Sequence, residues 1–392
     1  MSLQKMQRSL IFLLLFQIVY CSRLMHYDKY RLYRLTPRTL SAVRELRQFE
    51  NKGAEIQFWT NVREINVPVD VLIPHYDAQK IEKFIRSYEV DAVLLNHDIQ
   101  ENINEENVGS DPLGFGWTKY YNLEEIYKWM KNLPNENPET VKLFNIGETY
   151  EKRNIFGVHI SKNHSAGNKA IVIEANSNAR EWITSAVTTY ICNALLKSPE
   201  KHLRSFAESY DWYILPIANP DGFAYTKTIA RLWRKTRTPH SLMCYGTDFN
   251  KNWNPEFSAS NPCSESYQGP SSLSDNSVKN LAQFISTLRG RLAGYIAINS
   301  NAQMTTEKYK KTKKASQFSA TVSFGNKYKE GNILIGIDNE SQGSSSWVRN
   351  NFGNVISTII QIRDIGRYGF LIPSSQIIPV GEKVLDIIRH LF

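Results

Sequence analysis

A chain of 392 residues is longer than one hydrophobic core usually organises, so a small domain followed by a larger one is expected. Hydrophobic residues make up 42% and charged residues 22%, a balance that excludes a disordered chain and a polytopic membrane protein. The net charge of +9 raises nucleic acid as a partner, yet the Lys and Arg residues are scattered and no reading motif accompanies them, so nucleic acid is set aside.

Residues 1–22 carry Lys5 and Arg8, then an apolar stretch from Leu10 to Tyr20, then Cys21 and Ser22. A basic start, an apolar run and small residues at a cleavage point are the order of a secretory signal peptide, which makes the protein secreted and extracellular. The apolar stretch falls well short of the about 20 residues a bilayer core requires, as does every later one, and no membrane anchor is expected. Residues 23–98 read as strand, helix, strand, strand, helix, strand. Strand patterns fall at 30–35, 55–61, 67–74 and 90–95, and helical patterns at 39–51, opened by Thr39, and 77–88, with Asp77 as N-cap. That order predicts a small ferredoxin-like α+β sandwich with its helices on one face. Residues 99–115 are polar and acid-rich, with two glycines and one proline, and read as a linker.

Residues 116–392 open with a helical pattern at 123–133 and then alternate strands, such as 170–174 and 212–217, with helices, such as 182–196. Such alternation predicts an α/β domain whose mixed central sheet is flanked by helices. Cys192 falls in a helical run, where a thiol serves as buried packing. Cys244 and Cys263 lie close together among turn residues and form a candidate disulfide in an oxidising compartment. Asn163-His164-Ser165 and Asn339-Glu340-Ser341 are candidate glycosylation acceptors there. The dense basic run Lys308, Lys310, Lys311, Lys313 and Lys314 reads as a solvated face.

Five segments carry the chemistry. Ile173-Glu174-Ala175-Asn176-Ser177-Asn178-Ala179-Arg180-Glu181-Trp182 follows a strand and opens a helix, the place where α/β enzymes put ligand-bearing loops. Asn219-Pro220-Asp221-Gly222-Phe223, Arg231-Leu232-Trp233-Arg234-Lys235-Thr236-Arg237, Asp248-Phe249-Asn250-Lys251-Asn252-Trp253 and Arg363-Asp364-Ile365-Gly366-Arg367-Tyr368-Gly369-Phe370-Leu371 follow in order. Together they resemble the landmark segments of the zinc carboxypeptidases of the pancreatic A/B type, over nearly the whole chain after the signal. The resemblance implies a proenzyme with a ferredoxin-like propeptide, a carboxypeptidase-type domain and a disulfide at Cys244 and Cys263.

In that family a His-x-x-Glu pair and a distant histidine hold zinc, and a glutamate takes a proton from the zinc-bound water. At the matching positions this chain has Asn178 and Asn299 for the histidines and Gln361 for the base, so Glu181 is the only ligand kept. The resemblance further implies substrate contacts at Arg180, Arg231, Arg234, Asn250, Lys251, Asp338 and Ser345, with Arg234 at the oxyanion-stabilising position. Lys251 stands where the family grips the terminal carboxylate with arginine, Asp338 where it closes a tyrosine over substrate, and Ser345 where it sets side-chain preference. Carboxamide oxygens are weak donors beside imidazole, so the zinc expected from the family should be weakly bound or absent. The resemblance also implies activation by a cut after a basic residue, and the stretch from Ser87 to Thr118 contains no Lys or Arg. Three readings follow. One is a non-catalytic homologue whose cleft binds peptide C-termini or a protein partner. A second is an active metallocarboxypeptidase that recruits imidazole from His164 or His240. The third is a structural or storage protein on the same fold.

Overall fold

The computed structural model describes residues 24–52, 56–110, 114–164, 167–255, 261–300, 331–336, 343–364 and 368–392. Residues 1–22, read above as a signal peptide, the lysine run from Lys308 to Lys314, Asp338 and the Asn339 acceptor lie outside the described residues, as does Ser165 of the first acceptor motif.

The N-terminal elements are β1 (Arg31–Pro37), α1 (Leu40–Lys52), β2 (Gln57–Phe58), β3 (Val69–Ile73), α2 (Ala78–Ser87) and β4 (Val90–Asn96). The strands form an antiparallel sheet in the order β2-β3-β1-β4, the ferredoxin-like arrangement. Helix α1 starts where Thr39 Oγ1 accepts the Ala42 N–H at 3.2 Å, and it buries Ala42, Val43 and Leu46 at helical spacing. These pack with Ile81 and Phe84 of α2 and with Leu35, Val69, Val71 and Ile73 into the small domain's core.

Three local readings change. Asp77 does not cap α2: it ends a 3₁₀ turn with helical backbone (φ −98°, ψ −1°), whereas a side-chain cap needs extended backbone to aim its oxygen at the first free N–H groups. Its buried carboxylate instead meets Lys80 Nζ at 2.5 Å. The strand expected at 55–61 shrinks to two residues, because Thr60 Oγ1 takes the Asp70 N–H that a continued ladder would have used. The stretch read as a linker holds a helix, α3 (Ile99–Glu105), opened by Asp98, whose carboxylate accepts the Gln100 N–H at 3.0 Å.

The second part comprises α4 (Leu123–Glu136), β5 (Val141–Glu148), β6 (Asn154–Ile160), β7 (Ala170–Ala175), α5 (Trp182–Lys197), α6 (Lys201–Glu208), β8 (Asp211–Leu215), α7 (Pro220–Thr228), α8 (Asn276–Thr287), β9 (Leu292–Asn299), β10 (Gly331–Gly336), α9 (Ser344–Phe352), β11 (Ile356–Asp364) and α10 (Ile377–Leu391). Its sheet runs β10-β11-β9-β7-β8-β6-β5, parallel from β11 to β8 and antiparallel at both edges. The strands are apolar on both faces: along β7, Ile171, Ile173 and Ala175 enter one core with α4, α5 and α10, while Ala170 and Val172 enter a second with α8. Asn122 and Glu125 close a capping box at the start of α4. The parallel strands therefore end together on one edge of the sheet, where ligands of α/β folds bind.

Candidate active-site cleft and the domain that covers it

The loop between β7 and α5 is wound tightly by Asn176, which adopts the left-handed region (φ 53°) that asparagine tolerates better than most residues. Its Nδ2 donates toward the carbonyls of Asn178, Ala179 and Glu181 at 3.2–3.4 Å, so the chain turns into the helix within a few residues. That turn sets Asn178 beside Glu181: Asn178 Nδ2 donates to Glu181 Oε1 at 2.7 Å. The other carboxylate oxygen, Oε2, accepts the Ser300 N–H at 2.6 Å from the end of β9. Asn299 Oδ1 accepts from Ser177 Oγ at 3.3 Å, and Asn299 and Gln361 are register partners on the parallel strands β9 and β11.

Burial pushes the Glu181 carboxyl above its ordinary value, opposed by the Ser300 N–H, the Asn178 amide and the charges of Arg180 and Arg234. Two acceptors, Asn178 Oδ1 and Gln361 Oε1, are buried without a hydrogen-bond partner. Among the described residues, no three His, Cys, Asp or Glu side chains gather as a metal would require. His164 lies against His159, with ring centroids 4.7 Å apart, and His240 Nε2 pairs with Thr247 Oγ1 at 2.9 Å, so both imidazoles have their neighbours elsewhere.

The cationic residues are engaged by acids of the same chain. Arg180 pairs with Glu265 at 3.0 Å and lies over the Phe370 ring. Arg231 grips Glu106 with two hydrogen bonds, the Nε–Oε2 one at 2.7 Å, and donates to the Arg180 carbonyl at 2.8 Å while stacked on Trp182. Arg234 pairs with Asp248 at 2.9 Å, and the Asn250 N–H bonds the same aspartate at 3.2 Å. Burial lowers the Lys251 ammonium, and Arg234 adds to that shift, while Asp248 and Glu50 oppose it. Ser345 is buried against Ser357, hydroxyl to hydroxyl at 3.0 Å. Glu106 and Glu265 were not among the residues singled out in the sequence, because an acid in a polar stretch carries no spacing that points to a distant arginine.

The small domain sits on this side of the large one. The Met25 N–H reaches the Ile229 carbonyl at 2.6 Å, Tyr27 Oη accepts the Leu232 N–H at 3.4 Å, and the Glu106 carbonyl accepts the Ser374 N–H at 2.9 Å. Asn261 Nδ2 donates to the Asn51 carbonyl at 3.0 Å, and Ser264 Oγ to the Glu50 carbonyl at 3.4 Å. Trp59 packs on Phe370 with centroids 5.0 Å apart. It also fills the space over Gly369 (φ 59°), where a Cβ would stand 2.0 Å from the indole ring. Tyr27, Leu32, Trp59, Leu72 and Ile99 join Leu232, Phe370 and Leu371 in one buried cluster.

Cys244 and Cys263 form the expected disulfide, and Cys192 is a buried free thiol. Among the described residues no helix is long and apolar enough to cross a membrane. A family model described as zinc carboxypeptidase matches residues 126–387, and one described as carboxypeptidase activation peptide matches residues 33–106. Zinc carboxypeptidase A 1 of Anopheles gambiae is 34% identical over 389 residues, covering 92% of this chain and 88% of that protein. Carboxypeptidase A1 of Bos taurus is 31% identical over 383 residues, covering 90% of each. Among solved structures, thrombin activatable fibrinolysis inhibitor shares the fold with a TM-score of 0.79 at 23% identity, over 93% of this chain and 98% of that one. Two family models that together span most of the chain, and relatives above 30% identity along nearly all of it, place this chain in the zinc carboxypeptidase family, with that family's activation-peptide domain at its N-terminal side.

Proposed function

We propose that this chain is a secreted, non-catalytic member of the family whose cleft retains a carboxylate-binding capacity suited to peptide C-termini. The observation that carries the reading is Asn178, whose amide donates to Glu181 at 2.7 Å where a zinc site needs a second strong electron-pair donor. The family's metal is zinc, and the residues here do not fit it. They offer one carboxylate and two carboxamides, and zinc sites are built from imidazole, thiolate and carboxylate. The position of the base carries an amide, Gln361, which accepts no proton near neutral pH, so help worth about 10²- to 10⁴-fold in rate is missing.

What remains is positive and rich in donors. Arg180, Arg231, Arg234 and Lys251 keep cations, and Asn250 an amide, at the positions that the family uses for substrate, and each arginine is held by an acid of the same chain with which a ligand's carboxylate must compete. Arginine offers a carboxylate two parallel hydrogen bonds and lysine only a point charge, so the Lys251 position favours weaker capture. Zinc per polypeptide, measured by elemental analysis after dialysis against metal-free buffer, is expected near zero, with no release of C-terminal amino acids. One zinc per chain together with such release would overturn the proposal. Calorimetric titration with peptides bearing a free C-terminus and with their amidated counterparts tests the binding part. The free acids should bind more tightly, and equal or absent binding of both would favour a structural role for the fold.

A further inference from the structure

One buried arginine of the cleft, Arg231, already carries a carboxylate from the N-terminal side. Glu106 is the last residue matched by the activation-peptide model. It is 1% exposed, holds Arg231 through both oxygens, and is fixed in turn by its own carbonyl on the Ser374 N–H. A second acid from the small domain, Glu50, lines one small cavity with Arg234, and its carbonyl accepts from Ser264 Oγ. An acid of the N-terminal side thus occupies one of the four cations that a peptide's carboxylate or carbonyl groups would seek, and a second lies beside another.

The way the domains are joined points in the same direction. The connecting stretch is not a loose tether: α3 is capped by Asp98, and Ile99 is buried in the cluster shared by both domains. The stretch from Ser87 to Thr118 holds no Lys or Arg, so a protease that cuts after basic residues has no bond to attack there. Detachment would expose Trp59, Phe370 and Leu371 together and part Arg231 from its counter-ion, both unfavourable changes.

We propose that the N-terminal domain is a permanent cap rather than a removable one, with Glu106 as the built-in carboxylate ligand of Arg231. The inference rests on the carboxylate-binding reading of the cleft and is independent of whether zinc binds. In this arrangement the molecule that meets a partner is the two-domain unit, and an outside carboxylate reaches Arg231 only by displacing Glu106.

The test uses the full chain with a recognition site for a sequence-specific protease placed in the exposed stretch 107–110. After the cut, the two halves should elute together on size exclusion at micromolar concentration without denaturant. Glu106→Gln, which keeps shape and removes charge, should speed their separation at least tenfold. Halves of the wild-type sequence that part on the column would overturn the proposal, and so would an unchanged separation rate in E106Q. The wild-type measurement stands whether or not E106Q folds. The two readings fail separately: halves that part, with a C-terminal half that binds peptides without hydrolysing them, sink the cap alone. Halves that stay together in a protein that hydrolyses peptides sink only the proposed function.

Discussion

Asn178 acts in this cleft as a donor: its amide N–H faces Glu181, where the family's zinc site calls for a group that gives electrons to a metal. Returning imidazoles with Asn178→His and Asn299→His together is expected to restore about one zinc per chain by elemental analysis, while either alone leaves the site short of a ligand. Peptide hydrolysis should need Gln361→Glu as well, with a further gain of about 10²- to 10⁴-fold over the double variant. Glu106→Ala leaves Arg231 as an unpaired buried charge and should cost about 3–5 kcal/mol in urea unfolding, whereas the paired apolar replacement of Glu106 and Arg231 should cost much less. Asn178, Asn299 and Gln361 were singled out in the sequence because the family resemblance assigns their positions, Asn178 within a landmark segment and Gln361 two residues before another. Glu106 and Glu265 were not, since each meets its arginine across a long separation that no local pattern encodes.

Elements with a strong apolar pattern over their length were read correctly. The strand at 170–174, the helices at 123–133 and 182–196, and the sandwich order all appear with ends shifted by a few residues. Failures came where side chains compete with the backbone or where tertiary contacts decide. Asp77 has the right chemistry for a cap but the wrong backbone, and α3 is stabilised by burying Ile99 in a polar stretch that looks like a tether. The disulfide was legible from two cysteines among turn residues, and it closes a loop with a sequence separation of 19. Its removal by Cys244→Ser with Cys263→Ser should lower stability by about 3 kcal/mol, read as a fall in the midpoint of thermal unfolding. An unchanged midpoint would mean that the loop is held by its own packing.

At the scale of the molecule, acid sensitivity should arise partly far from the cleft. Burial, together with the neighbouring His164, lowers the His159 imidazole from 6.5 to about 4, against the pull of Asp211, with Lys142 and Arg291 also facing it and Tyr213 stacked on its ring. The unfolded chain takes up this proton near pH 6.5 and the folded one only near 4, so stability falls as pH drops through that window and is unaffected above it. Urea midpoints measured across the window should fall less steeply in His159→Phe, and parallel curves would assign the loss to other groups. The seam between the domains offers a different kind of access. Trp59 is 1% exposed and packs across the seam on Phe370 and Gly369 of the other domain. Its indole is therefore an optical gauge of docking: the emission difference between the wild type and Trp59→Phe isolates one fluorophore among eight, and a red shift in that difference would time the first opening of the seam, before either domain loses its own fold.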